Sequence, residues 1–139
     1  MAKILVADDS KFQVHLLKTA LQDKGFEVVV AMDAAQANMV ALRQSPNAIV
    51  LDINMPGGSG IEVLKRLRRS SKTQHIPVVI VSGNQDADVR HVAMELGVKV
   101  SFVKPVDTDQ LAKALNELLY GTPDGAPAAA QESVASEPR

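Results

Sequence analysis

Three aspartates, a serine and a lysine stand where apolar runs end in this 139-residue chain. Residues 3–7 run into Asp8 and Asp9, residues 48–51 into Asp52, residues 78–81 into Ser82, and residues 101–103 into Lys104. In an open parallel sheet the crevice beyond the carboxyl ends of the strands is the ligand-binding edge. Were these runs such strands, three carboxylates, a hydroxyl and an ammonium would meet there. Carboxylates held close resist joint ionisation unless a cation lies among them. A pocket of a few hard oxygen ligands suits Mg²⁺, which keeps several waters and accepts one or two carboxylates together with phosphate oxygens. Asp52 could then attack a phosphoryl group and form an aspartyl phosphate. Lys104 would place positive charge against the transferring oxygens, and Ser82 a hydroxyl against another.

Each residue also has a bland reading. Asp8 and Asp9 could cap a helix, although Ser10 has the better spacing for that. Asp52 before Asn54-Met55-Pro56 could be a turn-forming cluster. Ser82-Gly83 is an ordinary strand-end turn, and Lys104 an ordinary surface lysine with its stem on apolar surface. Taken jointly, these readings require four coincidences at one edge.

The elements needed to position this set are legible. Short aliphatic runs, with Glu27–Ala31 as the fifth, fit strands covered by helices on both faces. Between them Ser10-x-x-Gln13, Asp33-x-x-Gln36, Ser59-x-x-Glu62 and Asp107-x-x-Gln110 have the spacing of helix N-terminal capping boxes. Leu111, Ala114, Leu115, Leu118 and Leu119 form a helical stripe, and Phe12, Leu16, Leu17, Ala20 and Leu21 predict another for the first helix. Gly25 and Gly97 fall just past helical patterns, where glycine closes a helix in the left-handed conformation. Strictly alternating strands and helices predict a doubly wound α/β fold over residues 1–120. Residues 121–139 carry Pro123, Pro127 and Pro138 and almost nothing bulky and apolar, which predicts a disordered tail or linker.

Composition narrows the function classes. A net charge of −1 gives no footprint for nucleic acid, and no apolar run approaches the roughly eighteen residues of a membrane span. With no basic leader preceding the first strand, the expected location is the cytoplasm. Cysteine is absent, which excludes disulfides and thiolate metal sites. His15, His75 and His91 show no metal spacing and read as surface residues. Lys65, Arg66, Arg68, Arg69 and Lys72 read as the solvated end of a helix, where cations favour the helix dipole.

The joint pattern resembles a response-regulator receiver domain of the chemotaxis-regulator kind. The matching residues run from Asp8-Asp9 through Asp52-Ile53-Asn54-Met55-Pro56-x-x-x-Gly60 to Lys104-Pro105. The resemblance implies a five-stranded parallel sheet in the order 2-1-3-4-5, a flavodoxin-like fold. It implies Asp52 as phosphoacceptor and Mg²⁺ held by Asp9, Asp52 and the backbone carbonyl of Asn54, with Asp8 acting through water. Ser82, followed by Gly83, stands at the hydroxyl switch position and Lys104 at the phosphoryl-binding lysine, with a cis Lys104–Pro105 peptide. The Asn54 and Asn84 side chains border the path of hydrolytic water and would set the lifetime of the phosphorylated state. The implied partners are a sensor histidine kinase or phosphotransfer protein and a downstream protein or output domain. The implied output face is the fourth helix, fifth strand and fifth helix, with a possible homodimer on phosphorylation.

Two positions depart from the family pattern. The aromatic switch residue falls on Ser101, and Val106 replaces the usual aromatic after Lys-Pro. Phe102 should point to the opposite side of its strand. Coupling through an inward-turning aromatic cannot operate in its usual form, and movement of residues 83–96 is the alternative route. Ser101 also lends some support to a phosphorylation-independent interaction module. A phosphatase with an aspartyl nucleophile stands further back, because Asn54 occupies the place where such enzymes carry an acid/base carboxylate.

Overall fold

The computed structural model describes residues 1–55, 58–83 and 87–121. Pro56, Gly57, Asn84 and residues 122–139, on which several of the expectations above fall, lie outside these. Among the described residues seven strands and five helices follow one another as β1 (Lys3–Ala7), α1 (Lys11–Asp23), β2 (Glu27–Ala31), α2 (Ala34–Gln44), β3 (Ala48–Asp52), β4 (Asn54–Met55), β5 (Gly58–Ser59), α3 (Gly60–Arg69), β6 (Val78–Ser82), α4 (Ala87–Glu95), β7 (Val100–Val103) and α5 (Thr108–Tyr120). The main sheet is parallel throughout, in the order β2-β1-β3-β6-β7. Counting only its own strands, this is the expected 2-1-3-4-5. The short β4–β5 ribbon is antiparallel and separate; the sequence there predicts no more than a turn.

Burial follows strand position. Every residue of central β3 and β6 is buried, whereas the edge strands β2 and β7 are partly open. Alternate side chains feed two cores. Leu5, Ala7, Ile49, Leu51, Val78 and Ile80 pack with α2, α3 and α4. Ile4, Val6, Val50, Val79, Val81 and Phe102 pack with α1 and α5. All four predicted cap residues make their bond: Ser10, Asp33, Ser59 and Asp107 accept the amide of Gln13, Gln36, Glu62 and Gln110. Gly25 and Gly97 take φ of +94° and +89° after α1 and α4.

The α1 stripe holds at Leu17 and Leu21 and differs at Phe12 and Leu16. Val14, Leu17 and Leu21 face the sheet, while Phe12 is 76% exposed and Leu16 42%. The buried face is turned from the expected one so that Val14 joins Leu17 and Leu21 against Phe26 and the α5 leucines, leaving Phe12 and Leu16 outside. Phe12→Ser is therefore expected to change stability by less than about 0.5 kcal/mol, as for an ordinary surface position. Urea denaturation checks this, and a loss above 2 kcal/mol would place Phe12 in the core after all.

Arg68 departs from the solvated face expected of the basic run. Its Nε donates to the Leu96 carbonyl at 2.7 Å, and its Nη1 donates to Ile76 at 2.7 Å and Gln74 at 3.1 Å. Among the described helices none is long and apolar enough to cross a membrane.

Candidate functional site

Parallel register brings the predicted residues to one edge. Ala7 pairs with Leu51, so Asp8 and Asp52 project side by side one residue further on. Asp52 pairs with Val81, next to Ser82, and Ser82 pairs with Val103, next to Lys104. The Lys104 amide donates to the Ser82 carbonyl at 2.8 Å, extending the ladder by one step. The Lys104–Pro105 peptide is cis.

Asp8 and Asp52 are buried, with 2% and 4% exposure, and Ser82 is fully buried; Asp9 is exposed. Oxygens of Asp8, Asp9 and Asp52 lie within 4.8 Å of one another. The Lys104 ammonium bridges two of them, 2.9 Å from Asp8 Oδ2 and 3.4 Å from Asp52 Oδ2. The remaining oxygens are aimed by the backbone. Asp8 Oδ1 accepts the Ser10 amide at 2.9 Å, and Asp52 Oδ1 accepts the Asn54 amide at 3.1 Å. Each buried carboxylate thus has one oxygen fixed by a turn and the other turned toward the lysine.

The electrostatics are those of a site short of positive charge. Burial pushes the Asp52 carboxyl above the usual carboxylate range, and the Asp8 charge pushes it the same way. The Asn54 amide and Lys104 act against that rise without cancelling it. Burial alone would lower the Lys104 pKa, but its bond to Asp8 and the charges of both carboxylates raise it. Among the described residues one ammonium, seated on two carboxylates, accompanies a cluster of three, which leaves a hard, oxygen-lined, net negative group. Such a donor set fits a small divalent cation.

The switch positions lie on one face. Ile80 pairs with Ser101 and Ser82 with Val103, so Ser82 and Ser101 both look toward the α4 side of the sheet. Ser101 is half-buried. Phe102 is buried against α1 and α5, on the other face. Val106 also packs toward that second core. Asn54 is exposed beside the site.

Gly60 carries a role that sequence spacing alone does not reveal. Its amide donates to the Ile53 carbonyl at 2.6 Å, and a Cβ at this position would lie 2.5 Å from the Asp52 carbonyl oxygen. The β3–α3 connection therefore closes directly beneath the aspartate, and the only signal for it is the Gly60 of the Asp52–Gly60 signature.

Comparison with known proteins agrees with this fold. The family model "Response regulator receiver domain" matches residues 4–116. The chain is 31% identical to Protein PilH of Pseudomonas aeruginosa over 121 residues, covering 87% of this chain and all of PilH. It is also 31% identical to sporulation initiation phosphotransferase F of Bacillus subtilis, over 84% of this chain and 93% of that protein. Among solved structures, chemotaxis protein CheY4 of Vibrio cholerae superposes with a TM-score of 0.80 at 30% identity, covering 86% of this chain and 99% of CheY4. The receiver domain of the sensor histidine kinase PA1611 from Pseudomonas aeruginosa shares the fold at 22% identity, with a TM-score of 0.78 over 87% of this chain and 98% of that one. It was solved with a magnesium ion coordinated in its active-site cleft.

Proposed function

The chain belongs to the response-regulator receiver family, and from that premise we propose that Asp52 accepts a phosphoryl group from the phosphohistidine of a sensor kinase or phosphotransfer protein. The observation that carries this reading is the Lys104 ammonium seated on Asp8 Oδ2 and Asp52 Oδ2 at the carboxyl edge of the sheet. An Asp52 oxygen forms the new bond to phosphorus as the donor's P–N bond breaks. The electron pair of that bond stays on the imidazole nitrogen, which then takes up a proton. Lys104 leaves its shared position between the carboxylates and pairs with the new phosphoryl oxygens, while the Ser82 hydroxyl donates to another of them. Asp52 is already oriented through its Asn54 bond, so little reorganisation precedes transfer.

The acidic oxygens fit Mg²⁺. Asp9 and Asp52 would hold it directly with the backbone carbonyl of Asn54, and Asp8 through water. When bound, the ion supplies positive charge against both the carboxylates and the transferring oxygens. The Asn54 side chain borders the line along which water would hydrolyse the acyl phosphate; Asn84, the other lifetime candidate, lies outside the described residues. The only chemistry in this reading is the domain's own phosphorylation and dephosphorylation. Its output passes to a partner, or to a second copy, through the surface of α4, β7 and α5, with Gly83 as the joint after Ser82. The expected tail or linker of residues 121–139 lies, past Gly121, outside the described residues, and in this reading the protein works in the cytoplasm.

Incubation with acetyl phosphate tests this directly. Intact mass should show one phosphoryl adduct per chain, lost on treatment with hydroxylamine and dependent on Mg²⁺, with chelation lowering the yield at least tenfold. A stable fold that takes up no phosphoryl group would favour the second reading, an interaction module independent of phosphorylation, for which Ser101 at the aromatic switch position is the supporting observation.

A further inference from the structure

The fourth helix buries little of its surface, and its described fastenings lie at the C-terminal end. Ala93 is its one buried residue, whereas α3 buries Gly60, Val63, Leu64 and Leu67. In the N-terminal part of α4, Ala87 and Asp88 are exposed and Val89 and Arg90 half-buried. The C-terminal end is closed by its own backbone, although Met94 and Glu95 stay exposed. The Gly97 amide donates to Met94 and the Val98 amide to Ala93, both at 3.0 Å, which is a Schellman closure. Val98 itself is buried in the core.

Arg68 fastens that same end from outside the helix. Its Nε–H reaches the Leu96 carbonyl, the first acceptor beyond α4, and its Nη1 reaches the Gln74 and Ile76 carbonyls leading into β6. Three carbonyls from two separate segments thus converge on one guanidinium, and no carboxylate pairs with it among the described ion pairs. Its charge sits at the C-terminal ends of both α3 and α4, where helix dipoles favour a cation. A planar fork of donors suits this arrangement, and a lysine could not reproduce it.

We infer that Arg68 is a positioning residue that pins the C-terminal end of α4, making that end the fixed point about which the rest of the helix can shift. The inference rests on the reading of Asp52 as phosphoacceptor only for what sets the helix in motion. The N-terminal part of α4, where Val89 alone among the described residues packs against the core, follows Ser82 and Gly83 in the chain and so leads from the phosphoryl group. With Ser101 in place of an aromatic on β7, this helix is the route left for carrying the signal. Arg68 keeps the partner surface anchored at one end while the other responds.

Amide hydrogen exchange on the unphosphorylated full chain tests the pin without any phosphoryl chemistry. In Arg68→Ala, amides 93–98 should exchange about tenfold faster than in the wild type, with α3 and the central strands unchanged, since hydrogen bonds to a charged group are among the stronger ones. Arg68→Lys, which keeps the charge but not the fork, should behave like Arg68→Ala, and it serves as the test if the alanine variant does not fold. Protection retained in Arg68→Lys would overturn the role of the fork, and exchange accelerated uniformly through the sheet would show a merely structural residue. On treatment with acetyl phosphate and Mg²⁺, wild-type chemical-shift changes within α4 should concentrate in residues 87–90, and in Arg68→Ala they should spread to 93–98. Equal changes at both ends of the wild-type helix would overturn the fixed point. Failure to form the adduct would count against Asp52 and leave the exchange result standing.

Discussion

Asp52→Asn is expected to abolish the phosphoryl adduct and, at neutral pH without Mg²⁺, to raise the melting temperature. The first effect is complete, because an amide cannot form the acyl phosphate. The second follows from the cost of holding an ionised carboxylate at this position. Burial and the neighbouring Asp8 both disfavour the Asp52 charge, and Lys104 is shared rather than dedicated. The substitution keeps the side chain's shape and its acceptor for the Asn54 amide, and it leaves Lys104 its closer partner Asp8 at 2.9 Å. For a domain of this size each kcal/mol of relieved cost raises the melting temperature by about 4 °C.

The sign of the pH dependence makes the test sharper. A carboxyl whose pKa is raised on folding binds its proton more tightly in the folded state, so its cost is present at neutral pH. As pH falls through the raised folded value the wild-type group becomes neutral. The advantage of Asp52→Asn should then shrink and vanish below the ordinary carboxylate pKa of about 3.9. Thermal melts of both proteins from pH 7 to pH 4 check this. A variant that melts lower than the wild type at pH 7 would mean that the Lys104–Asp52 pair outweighs desolvation and repulsion. In that case the site would be balanced rather than short of positive charge.

The sequence makes the strands and the polar residues at their ends legible for the same reason. A strand buried on both faces needs an unbroken aliphatic run, and a polar residue ending such a run marks where the sheet meets solvent. Asp8, Asp52, Ser82 and Lys104 are such endings, so one topological assumption places them all together. The face of α1 is not legible in this way. Phe12, Leu16 and Ala20 repeat as regularly as Val14, Leu17 and Leu21, and the choice depends on what α5 and Phe26 offer on the other side. Arg68 is hidden for a related reason. Its carbonyl partners are up to 28 residues away, and nothing in a run of basic residues distinguishes the one that folds inward. The sharing of Lys104 between Asp8 and Asp52 is equally a tertiary fact, since spacing can assign a lysine to the edge but not to a particular oxygen.

Gly60→Ala should damage stability and chemistry together. A Cβ there would lie 2.5 Å from the Asp52 carbonyl oxygen and 2.7 Å from the Ile53 Cα. Both contacts are with backbone, so no side-chain rotation can relieve them. Either the first turn of α3 lifts away from β3, losing packing of Val63 and Leu64 beneath it, or the end of β3 is displaced. Overpacking of this kind costs about 2–3 kcal/mol, a large share of the roughly 5–15 kcal/mol by which domains are stable. The melting temperature should fall by about 10 °C. If the strand end is what yields, Asp52 moves with it, and misplacing a reacting group by about 1 Å costs on the order of 10²-fold in rate. Phosphorylation by acetyl phosphate, followed by intact mass well below the melting range, reads the second effect separately from the first. Gly83→Ala is the control for stability, because a Cβ there meets nothing within 4 Å and the change should be within about 0.5 kcal/mol. Equal losses in the two variants would mean that the backbone contact at Gly60 does not set the cost, since the entropy change of glycine to alanine favours the folded state. A Gly60→Ala protein with lowered stability but an unchanged phosphorylation rate would show that α3 yields while the aspartate stays in place.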